Sequence, residues 1–189
     1  MHPNIVVTGS PGVGKTYISM RISKLYGFRY VSVNNIIINN KLYSGYDDDR
    51  DSYIVDLDMA REFLTNEFSW DGVVLEGHTA HLVAPSKYVD LCIVLRLDPY
   101  ILFDRLVSRG YDRGKALENV QAEILDIVYR EALDAYGFDS VISIDVSGGY
   151  SKVLCAVDWL LGRCGKPDSD YVDWLGLVSE NGDLKRFFP

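Results

Sequence analysis

The sequence is poor in cysteine and in basic residues, and each shortage excludes a class of protein. Its 3 cysteines form no C-x-x-C pair and are odd in number, which favours the reducing cytoplasm over a secreted, disulfide-stabilised protein. Lysine and arginine number 19 against 27 acidic residues, for a formal net charge of -8. Because nucleic acid is bound mainly by neutralising its phosphates, a broad basic binding face is excluded, and any contact with a polyanion must be local.

Long apolar runs are also missing. No stretch reaches the roughly 18 apolar residues that a membrane-spanning helix needs, and no basic stretch precedes an apolar segment near Met1. We therefore expect neither a membrane span nor a signal peptide. A chain of this length buries roughly 70% of the surface that it exposes when unfolded, so one hydrophobic core can form without disulfides or a structural metal.

Short β-branched runs bounded by turn residues recur along the chain and predict buried strands. They cover residues 5–8, 30–33, 73–75, 91–95 and 141–144. Between them lie helical patterns whose apolar residues share one face, such as Ile18 and Ile22 after the first strand and Leu117 to Ile127 before the last. This alternation predicts an α/β protein built of βαβ units around a parallel sheet of about five strands.

A glycine-rich segment follows the first strand and opens the first predicted helix. It runs Gly9-Ser10-Pro11-Gly12-Val13-Gly14-Lys15-Thr16 and matches G-x-x-x-x-G-K-[ST] in the context that this motif requires. Gly12 and Gly14 allow successive backbone N–H groups to point at phosphate oxygens, and the helix N-terminus adds a positive dipole. Lys15 is placed to reach the β and γ phosphates of a nucleotide, and Thr16 to bind Mg²⁺.

An acidic residue, Glu76, ends the third predicted strand. P-loop proteins keep at this position the carboxylate that holds magnesium or its water, and this strand should lie beside the strand of the P-loop. His78 follows two residues later and can order an attacking water or a phosphate, although a hydrogen-bonded turn histidine is the alternative interpretation. We interpret His81 as incidental.

The segment from Arg96 to Lys115 holds five cations and three acids, a positive island in an acidic chain. Arg105 and Arg109 share one helix face, where their charges repel and an anion would offset them. Phosphoryl transfer needs such clamps. The alternative is a solvated helix face paired with the nearby aspartates.

The nucleotide expected here is an adenine nucleotide. The guanine-binding pattern N-K-x-D is missing, because Asn40-Lys41-Leu42 is followed by Tyr43.

Two segments fit the βαβ pattern poorly. The first, from residue 34 to about residue 58, holds four asparagines and an acidic run from Asp47 to Asp51, and is too long and polar for a plain crossover. The second is the tail of residues 165–189, whose aromatic residues are able to fold back onto the body. We expect the compact domain to span residues 1–164. For either segment, a surface flap without function is the alternative.

These pieces together resemble the adenylate kinase isoenzyme six family, also called CINAP, of small P-loop proteins. The likeness runs from about residue 3 to residue 164 and rests on an ordered set of segments. They are the P-loop, residues 45–52 with Val55-Asp56 after them, Glu76-Gly77-His78, residues 105–111 and residues 118–124.

The resemblance implies a three-layer P-loop NTPase fold of the nucleoside monophosphate kinase type, with a five-stranded parallel sheet in the order 2-3-1-4-5. It implies a monophosphate-binding flap at about residues 33–56 and a short lid at about residues 108–118. The implied nucleotide contacts are Gly12, Val13, Gly14, Lys15, Thr16, Tyr17, Arg109 and the adenine loop at Ser147-Gly148. Thr16 and Glu76 would hold the metal. The residues expected in catalysis are Lys15, Glu76, His78, Arg105 and Arg109.

The resemblance also implies partners. ATP with Mg²⁺ would be the phosphoryl donor, and AMP or another nucleoside monophosphate the acceptor. The family is implicated in small-subunit ribosome maturation, in which it binds the universal small-subunit ribosomal protein number eleven and contacts ribosomal RNA indirectly. No membrane partner is implied.

The predicted flap departs from the usual pattern of nucleoside monophosphate kinases. Many of them hold the acceptor phosphate with an arginine in the first flap helix, where this chain has the asparagine-rich residues 34–40 and then Lys41. Arg50 and Arg61 are the candidate substitutes. Fewer cations should hold an acceptor phosphate less well, so ATP hydrolysis or weak AMP phosphorylation is expected rather than fast kinase activity. The acidic run is either a solvated loop or a contact for a basic protein.

The leading hypothesis is therefore a Mg²⁺-dependent ATPase and adenylate kinase that acts as a ribosome assembly factor. Two alternatives stay open. One is a small-molecule kinase with an acceptor that is not a nucleotide. The other is a nucleotide-switched binding chaperone with negligible catalysis.

Overall fold

The computed structural model describes residues 2–48 and 52–189; Arg50 and the last part of the acidic run lie outside the described residues. The strands are β1 (Ile5–Thr8), β2 (Arg29–Ser32), β3 (Tyr43–Asp47), β4 (Ser52–Val55), β5 (Val73–Glu76), β6 (Leu91–Arg96) and β7 (Val141–Asp145). The helices are α1 (Lys15–Tyr26), α2 (Val33–Asn39), α3 (Leu57–Asn66), α4 (Ala80–Val83), α5 (Pro99–Ser108), α6 (Arg113–Ile124), α7 (Ile127–Tyr136), α8 (Ser151–Leu160), α9 (Trp174–Glu180) and α10 (Leu184–Phe187).

Five strands form one parallel sheet in the order β2-β5-β1-β6-β7. Counted along the chain without β3 and β4, this is the predicted order 2-3-1-4-5, which is confirmed. β1 lies at the centre, with Val7 opposite Glu76 of β5 and Ile93 of β6. The chain goes from β1 to β2 on one side of it, and from β5 it crosses to β6 on the other side. The carboxyl end of β1 is therefore a switch point, where open α/β sheets bind ligands.

The sheet is covered on both faces. Ile5 and Val7 belong to one buried apolar cluster and Val6 to the other, as the alternation of side chains along a strand requires. Helices α1, α5 and α8 pack in the first cluster, and α3 and α7 in the second. The predicted three-layer arrangement is therefore confirmed.

The predicted flap segment holds α2 and a separate antiparallel hairpin of β3 and β4. Tyr46 lies opposite Tyr53 in the register of the hairpin, and the two rings are 5.1 Å apart. A local hairpin needs no crossover helix, which explains why this segment did not fit the βαβ pattern.

The apolar pattern from Leu117 to Ile127 is not one helix. α6 ends at Ile124 and α7 begins at Ile127, because Asp126 has the left-handed backbone angle φ 59°. A residue with a side chain rarely adopts this conformation, so the corner is locally strained.

Beyond residue 164 the chain returns to the body. Val178 of α9 and Phe187 of α10 are fully buried in the cluster that contains β1 and α5. The domain boundary at residue 164 stays a prediction. Among the described residues, no helix has both the length and the apolar character to cross a membrane.

Candidate functional site

The P-loop connects the carboxyl end of β1 to the start of α1. Gly12 and Gly14 both have left-handed backbone angles, φ 93° and φ 103°. A Cβ atom on Gly14 would lie 2.0 Å from the hydroxyl of Tyr150, so only glycine fits there. Gly14 caps α1 without a side-chain hydrogen bond. The first-turn amides of α1 are thus free of intrahelical acceptors and suited to an anion.

Lys15 is held inside the loop that it belongs to. Its Nζ donates to the carbonyl oxygens of Gly9 and Ser10, each at 2.9 Å. Burial lowers the pKa of Lys15 to about 8, and the charge of Arg109 adds to this, while Glu76 and Glu123 oppose it. An anion bound beside the ammonium group would restore a higher pKa.

Glu76 lies at the end of β5, beside the P-loop, and is 6% exposed. Its Oε2 accepts a hydrogen bond from Thr16 Oγ1 at 3.4 Å, and its Oε1 accepts one from the hydroxyl of Tyr30 at 3.1 Å. Burial and the charge of Glu76 raise the pKa of Tyr30 to about 12. The parallel pairing of β5 with β1 is what brings this acid to the P-loop.

The pair of Thr16 and Glu76 fits a magnesium ion. Mg²⁺ prefers oxygen ligands and is usually held by one or two protein groups, with water and substrate phosphates completing its shell. No group of three or more His, Cys, Asp or Glu able to hold a metal occurs in the described part of the chain. A hydroxyl and one carboxylate leave most of the coordination shell to water and phosphate oxygens, so this pair suits a metal that arrives with a nucleotide.

Two cavities meet at Lys15 and Thr16. The larger, about 720 Å³, also reaches Glu76, His78 and Glu131 and runs towards the flap. The smaller, about 370 Å³, is lined by Gly12, Gly14, Lys15, Thr16, Tyr17, Met20 and Arg109. The P-loop thus separates two compartments, as a donor site and an acceptor site would require.

His78 lines the larger cavity and keeps exposed surface. Partial desolvation of the ring, and to a smaller extent the charges of Lys15 and His81, lower the pKa of His78 to about 4. The ring is therefore neutral at physiological pH. His81 is buried, with Nδ1 at 2.8 Å from Thr8 Oγ1 and Nε2 at 3.0 Å from Glu131 Oε2. Burial lowers the pKa of His81 although Glu131 opposes this. His81 holds Glu131 at the cavity wall.

The cations of the predicted positive island have different roles in the structure. Arg105 Nη1 lies 3.5 Å from the carbonyl oxygen of Gly12, and Arg109 lines the smaller cavity. The structure therefore brings both to the P-loop. Arg96 instead is buried in an ion pair with Glu123 at 2.7 Å.

The adenine loop predicted at Gly148 follows β7. Gly148 is exposed and is not among the described residues that line either cavity. Ser147 fixes the loop, since its Oγ accepts a hydrogen bond from the Asp98 backbone N–H at 2.9 Å. Tyr17 lines the smaller cavity, and its ring lies 5.2 Å from that of Tyr150.

Sequence reasoning missed three residues that contact the P-loop or its acid: Tyr30, Tyr150 and Glu123. The hydroxyl of Tyr150 donates to the carbonyl oxygen of Val13 at 3.0 Å, and Ser10 Oγ donates to Glu123 Oε2 at 2.6 Å. Tyrosines give no sequence signal for such contacts. Glu123 did give one, because it interrupts the apolar face of α6, three residues after the buried Val120.

Of the candidate flap cations, Lys41 and Arg61 are among the described residues, and neither lines the cavities at the P-loop. Lys41 is exposed just after α2. Arg61 is engaged around α3, where Nη2 donates to the carbonyl oxygen of Leu82 at 2.8 Å and Nη1 pairs with Asp58 at 3.2 Å. Among the described residues that line the larger cavity, none is an arginine.

Comparisons with known proteins indicate the family of the chain. A family model described as an AAA domain matches residues 5–126. The protein named "Putative adenylate kinase" of Methanocaldococcus jannaschii is 36% identical over 177 residues, which cover 92% of this chain and 97% of that protein. A protein of the same name from Saccharolobus solfataricus is 41% identical over 143 residues, 76% of this chain and 74% of its own.

Solved structures show the same fold. Shikimate kinase from Acinetobacter baumannii superposes with a TM-score of 0.60 at 18% identity, covering 88% of this chain and 97% of its own. A gluconokinase from Sinorhizobium meliloti gives a TM-score of 0.51 at 18% identity, over 85% and 92% of the two chains. At this identity the likeness concerns the fold alone. By its identity to the archaeal proteins over nearly its whole length, the chain belongs to their adenylate kinase-like family of P-loop kinases.

Proposed function

We propose that this chain binds ATP together with Mg²⁺ and transfers the γ-phosphoryl group to AMP, forming two ADP, or more slowly to water. The observation that carries the proposal is the cluster of Lys15, Thr16 and Glu76 at the switch point of the sheet, with a cavity on either side. The names of the archaeal relatives support the adenylate kinase reaction.

Positioning and electrostatics would do most of the catalysis. The P-loop amides and Lys15 would hold the β and γ phosphates, while Thr16 and Glu76 would hold Mg²⁺, which supplies positive charge against the phosphates when bound. Arg105 of α5 and Arg109, just after its end, would offset charge on the transferring group. Such clamps contribute on the order of 10³-fold or more to rate in related chemistry.

The neutral ring of His78 would serve the acceptor. With its pKa lowered to about 4, the imidazole stays neutral and can accept a hydrogen bond from a water or hydroxyl near the γ phosphate. It lines the same cavity as Glu131, which His81 holds in place. Among the described residues that line this cavity the cations are Lys15 and Lys115, and no arginine is present to bind a phosphate through two hydrogen bonds. This supports slow AMP phosphorylation beside hydrolysis.

We further propose that the chain acts in small-subunit ribosome maturation by binding the universal ribosomal protein number eleven, with only indirect contact to ribosomal RNA. The sequence resemblance supports this role, and the net charge of -8 suits a basic partner. Titration of the purified ribosomal protein into this chain, at low and high salt, tests it. Binding that weakens with salt is expected, and an absence of binding at low salt would overturn the role.

The central experiment measures ADP formed from ATP and Mg²⁺, with and without AMP. Wild-type protein should release ADP in both assays, and Lys15→Ala should lose at least about 100-fold of both activities, because no other described cation is held within the loop. Exposed Lys24, on the same helix, provides the control Lys24→Ala. Full turnover by Lys15→Ala would reject the assignment.

The same assay separates the two alternatives. A screen of acceptors in which a hydroxylated small molecule is phosphorylated faster than AMP would favour a small-molecule kinase. If the affinity for the ribosomal protein depends on bound nucleotide while ATP turnover is negligible, the chain would be a nucleotide-switched binding protein.

A further inference from the structure

A carboxyl side chain is buried directly beneath the P-loop. Glu123 of α6 is 2% exposed. Its Oε2 accepts a hydrogen bond from Ser10 Oγ at 2.6 Å. Its Oε1 accepts from Arg96 Nε at 2.7 Å, from the backbone N–H of Leu97 at 3.2 Å and from Trp174 Nε1 at 3.2 Å. This carboxylate therefore joins the P-loop, the end of β6, α6 and the C-terminal segment.

Stability alone is a weak explanation for this arrangement. A buried ion pair often contributes no more than well-packed apolar residues of the same size, because both charges must leave water. Burial opposes the charge of Arg96, yet attraction to Glu123 and Asp126 raises the pKa of Arg96 above its usual value. Arg96 also binds Asp126, the residue with the strained backbone between α6 and α7. Strain that is held in place by several partners is commonly found at functional sites.

Ser10 connects Glu123 to the lysine of the P-loop. Its hydroxyl donates to Glu123, while its carbonyl oxygen accepts the hydrogen bond of Lys15 Nζ at 2.9 Å. A shift of Ser10 would therefore move one of the two carbonyl groups that orient the Lys15 ammonium. Glu123 lies too deep to touch a substrate, so its effect on the reaction passes through Ser10 or through its charge on Lys15.

The C-terminal segment supplies the last contact. Trp174 begins α9, and the chain after it is fastened to α5 and α6 at two more points. The hydroxyl of Tyr100 donates to Asp183 Oδ2 at 2.9 Å, and Gln121 Nε2 donates to the carbonyl oxygen of Phe187 at 2.6 Å. Trp174 is half-buried and adds a donor to Glu123 from outside the P-loop and its sheet.

We propose that Glu123 is a positioning residue for the P-loop and that the C-terminal segment, through the indole N–H of Trp174, sets how firmly Glu123 holds Ser10. The segment then tunes nucleotide affinity at the site without touching the nucleotide. This inference rests on the proposed nucleotide binding. A chain in which the segment is displaced from α6 would bind ATP and ADP more weakly.

The test uses Trp174→Phe in the full-length chain. Phenylalanine keeps an aromatic ring and removes only the N–H donor, whereas Glu123→Gln would leave the buried Arg96 with Asp126 as its remaining acidic partner and destabilise the fold. We expect ADP to bind about fivefold more weakly to Trp174→Phe by isothermal titration calorimetry, since a hydrogen bond to a charged group is lost. Trp159→Phe, at a half-buried tryptophan of α8, is the matched control and should bind like wild type.

A double-mutant cycle with Ser10→Ala separates positioning from a general loss of stability. If the effect passes through the Ser10 hydroxyl, Trp174→Phe should weaken ADP binding little further in the Ser10→Ala background, although it lowers the melting temperature in both. Equal ADP affinity of Trp174→Phe and wild type, or full additivity in the cycle, would overturn the inference. Failure of wild type itself to bind ADP would instead refute the proposed function.

Discussion

The P-loop, on the proposed donor side of the site, and the flap hairpin, on the proposed acceptor side, differ in how firmly the chain holds them. On the donor side, Ser10 is 1% exposed, and Lys15 is 9% exposed with two hydrogen bonds to its own loop. On the acceptor side, Tyr46, Tyr53 and Ile54 of the hairpin are between 40% and 49% exposed. The P-loop is thus fixed by buried contacts, whereas the flap is a hairpin beside the sheet with much of its apolar surface in water.

This difference indicates which of the two substrates can bind without a rearrangement of the protein. A site that is ordered in the free protein loses little entropy on binding, while a site that must order around its ligand gives up part of the binding energy. We therefore expect nucleotide binding at the P-loop to be tight and acceptor binding at the flap to be weak.

Glu76→Gln should lower the rate of Mg²⁺-dependent ATP hydrolysis by about 10²-fold to 10³-fold. The amide keeps the size of the side chain but removes the charge that would balance a metal ion beside Thr16. Steady-state turnover at saturating ATP gives the rate, and calorimetry without Mg²⁺ should show ADP affinity within about threefold of wild type.

Tyr30→Phe is the matched control for Glu76→Gln. It removes the hydrogen bond to Glu76 Oε1 and leaves the carboxylate in place. We expect a rate loss of about fivefold at most. If the Glu76→Gln variant hydrolysed ATP as fast as the Tyr30→Phe variant, Glu76 would not hold the metal. The contacts of Glu76 with Thr16 and Tyr30 would then not mark a metal site beside the P-loop.

Lys15→Met should stabilise the protein without nucleotide. The pKa of Lys15 falls from 10.5 to about 8 on folding, so the folded state holds the charged form at a cost. That cost is fully present below about pH 8 and fades as pH rises towards the unfolded value of 10.5. Since a pKa change of one corresponds to about 1.4 kcal/mol, the cost at neutral pH is about 3 kcal/mol.

Urea unfolding of the free protein measures this effect. Lys15→Met should have the higher free energy of unfolding at about pH 7, and its advantage over wild type should shrink above about pH 8. Lys24→Met, at an exposed position of the same helix, should change stability by less than about 0.5 kcal/mol. A destabilised Lys15→Met would mean that the lysine stabilises the free loop, contrary to its pKa.

The sequence predicted most of the donor side and little of what supports it. The P-loop pattern and the acid at the end of β5 are local signals, and parallel strand order brings them together. Contacts such as Tyr150 to Val13 or Trp174 to Glu123 join residues far apart in the chain, and no local pattern announces them. The spacing of apolar residues likewise predicted one helix through Asp126. A single residue with a left-handed backbone does not change that spacing in the sequence, so the break between α6 and α7 could not be predicted.

Lys41→Ala should have the smallest effect, less than about twofold on the KM for AMP. Lys41 is the cation nearest to the asparagine-rich helix α2, yet it is exposed, and it is not among the described residues that line the larger cavity. Initial rates at fixed ATP and varied AMP measure the KM. The same measurement applies to Arg50→Ala, because Arg50 is the other flap cation predicted to hold the acceptor phosphate.

A loss of more than about tenfold in AMP affinity for either variant would break the contrast between the two sides, since a single flap cation would then hold the acceptor phosphate. If both variants had a KM for AMP close to that of wild type, with the rate of ATP hydrolysis unchanged, the contrast between the two sides would be strengthened instead. In that case the larger cavity would bind AMP without a dedicated phosphate clamp. The balance between kinase and hydrolase activity would then depend on how well His78 and Glu131 order a water molecule compared with AMP.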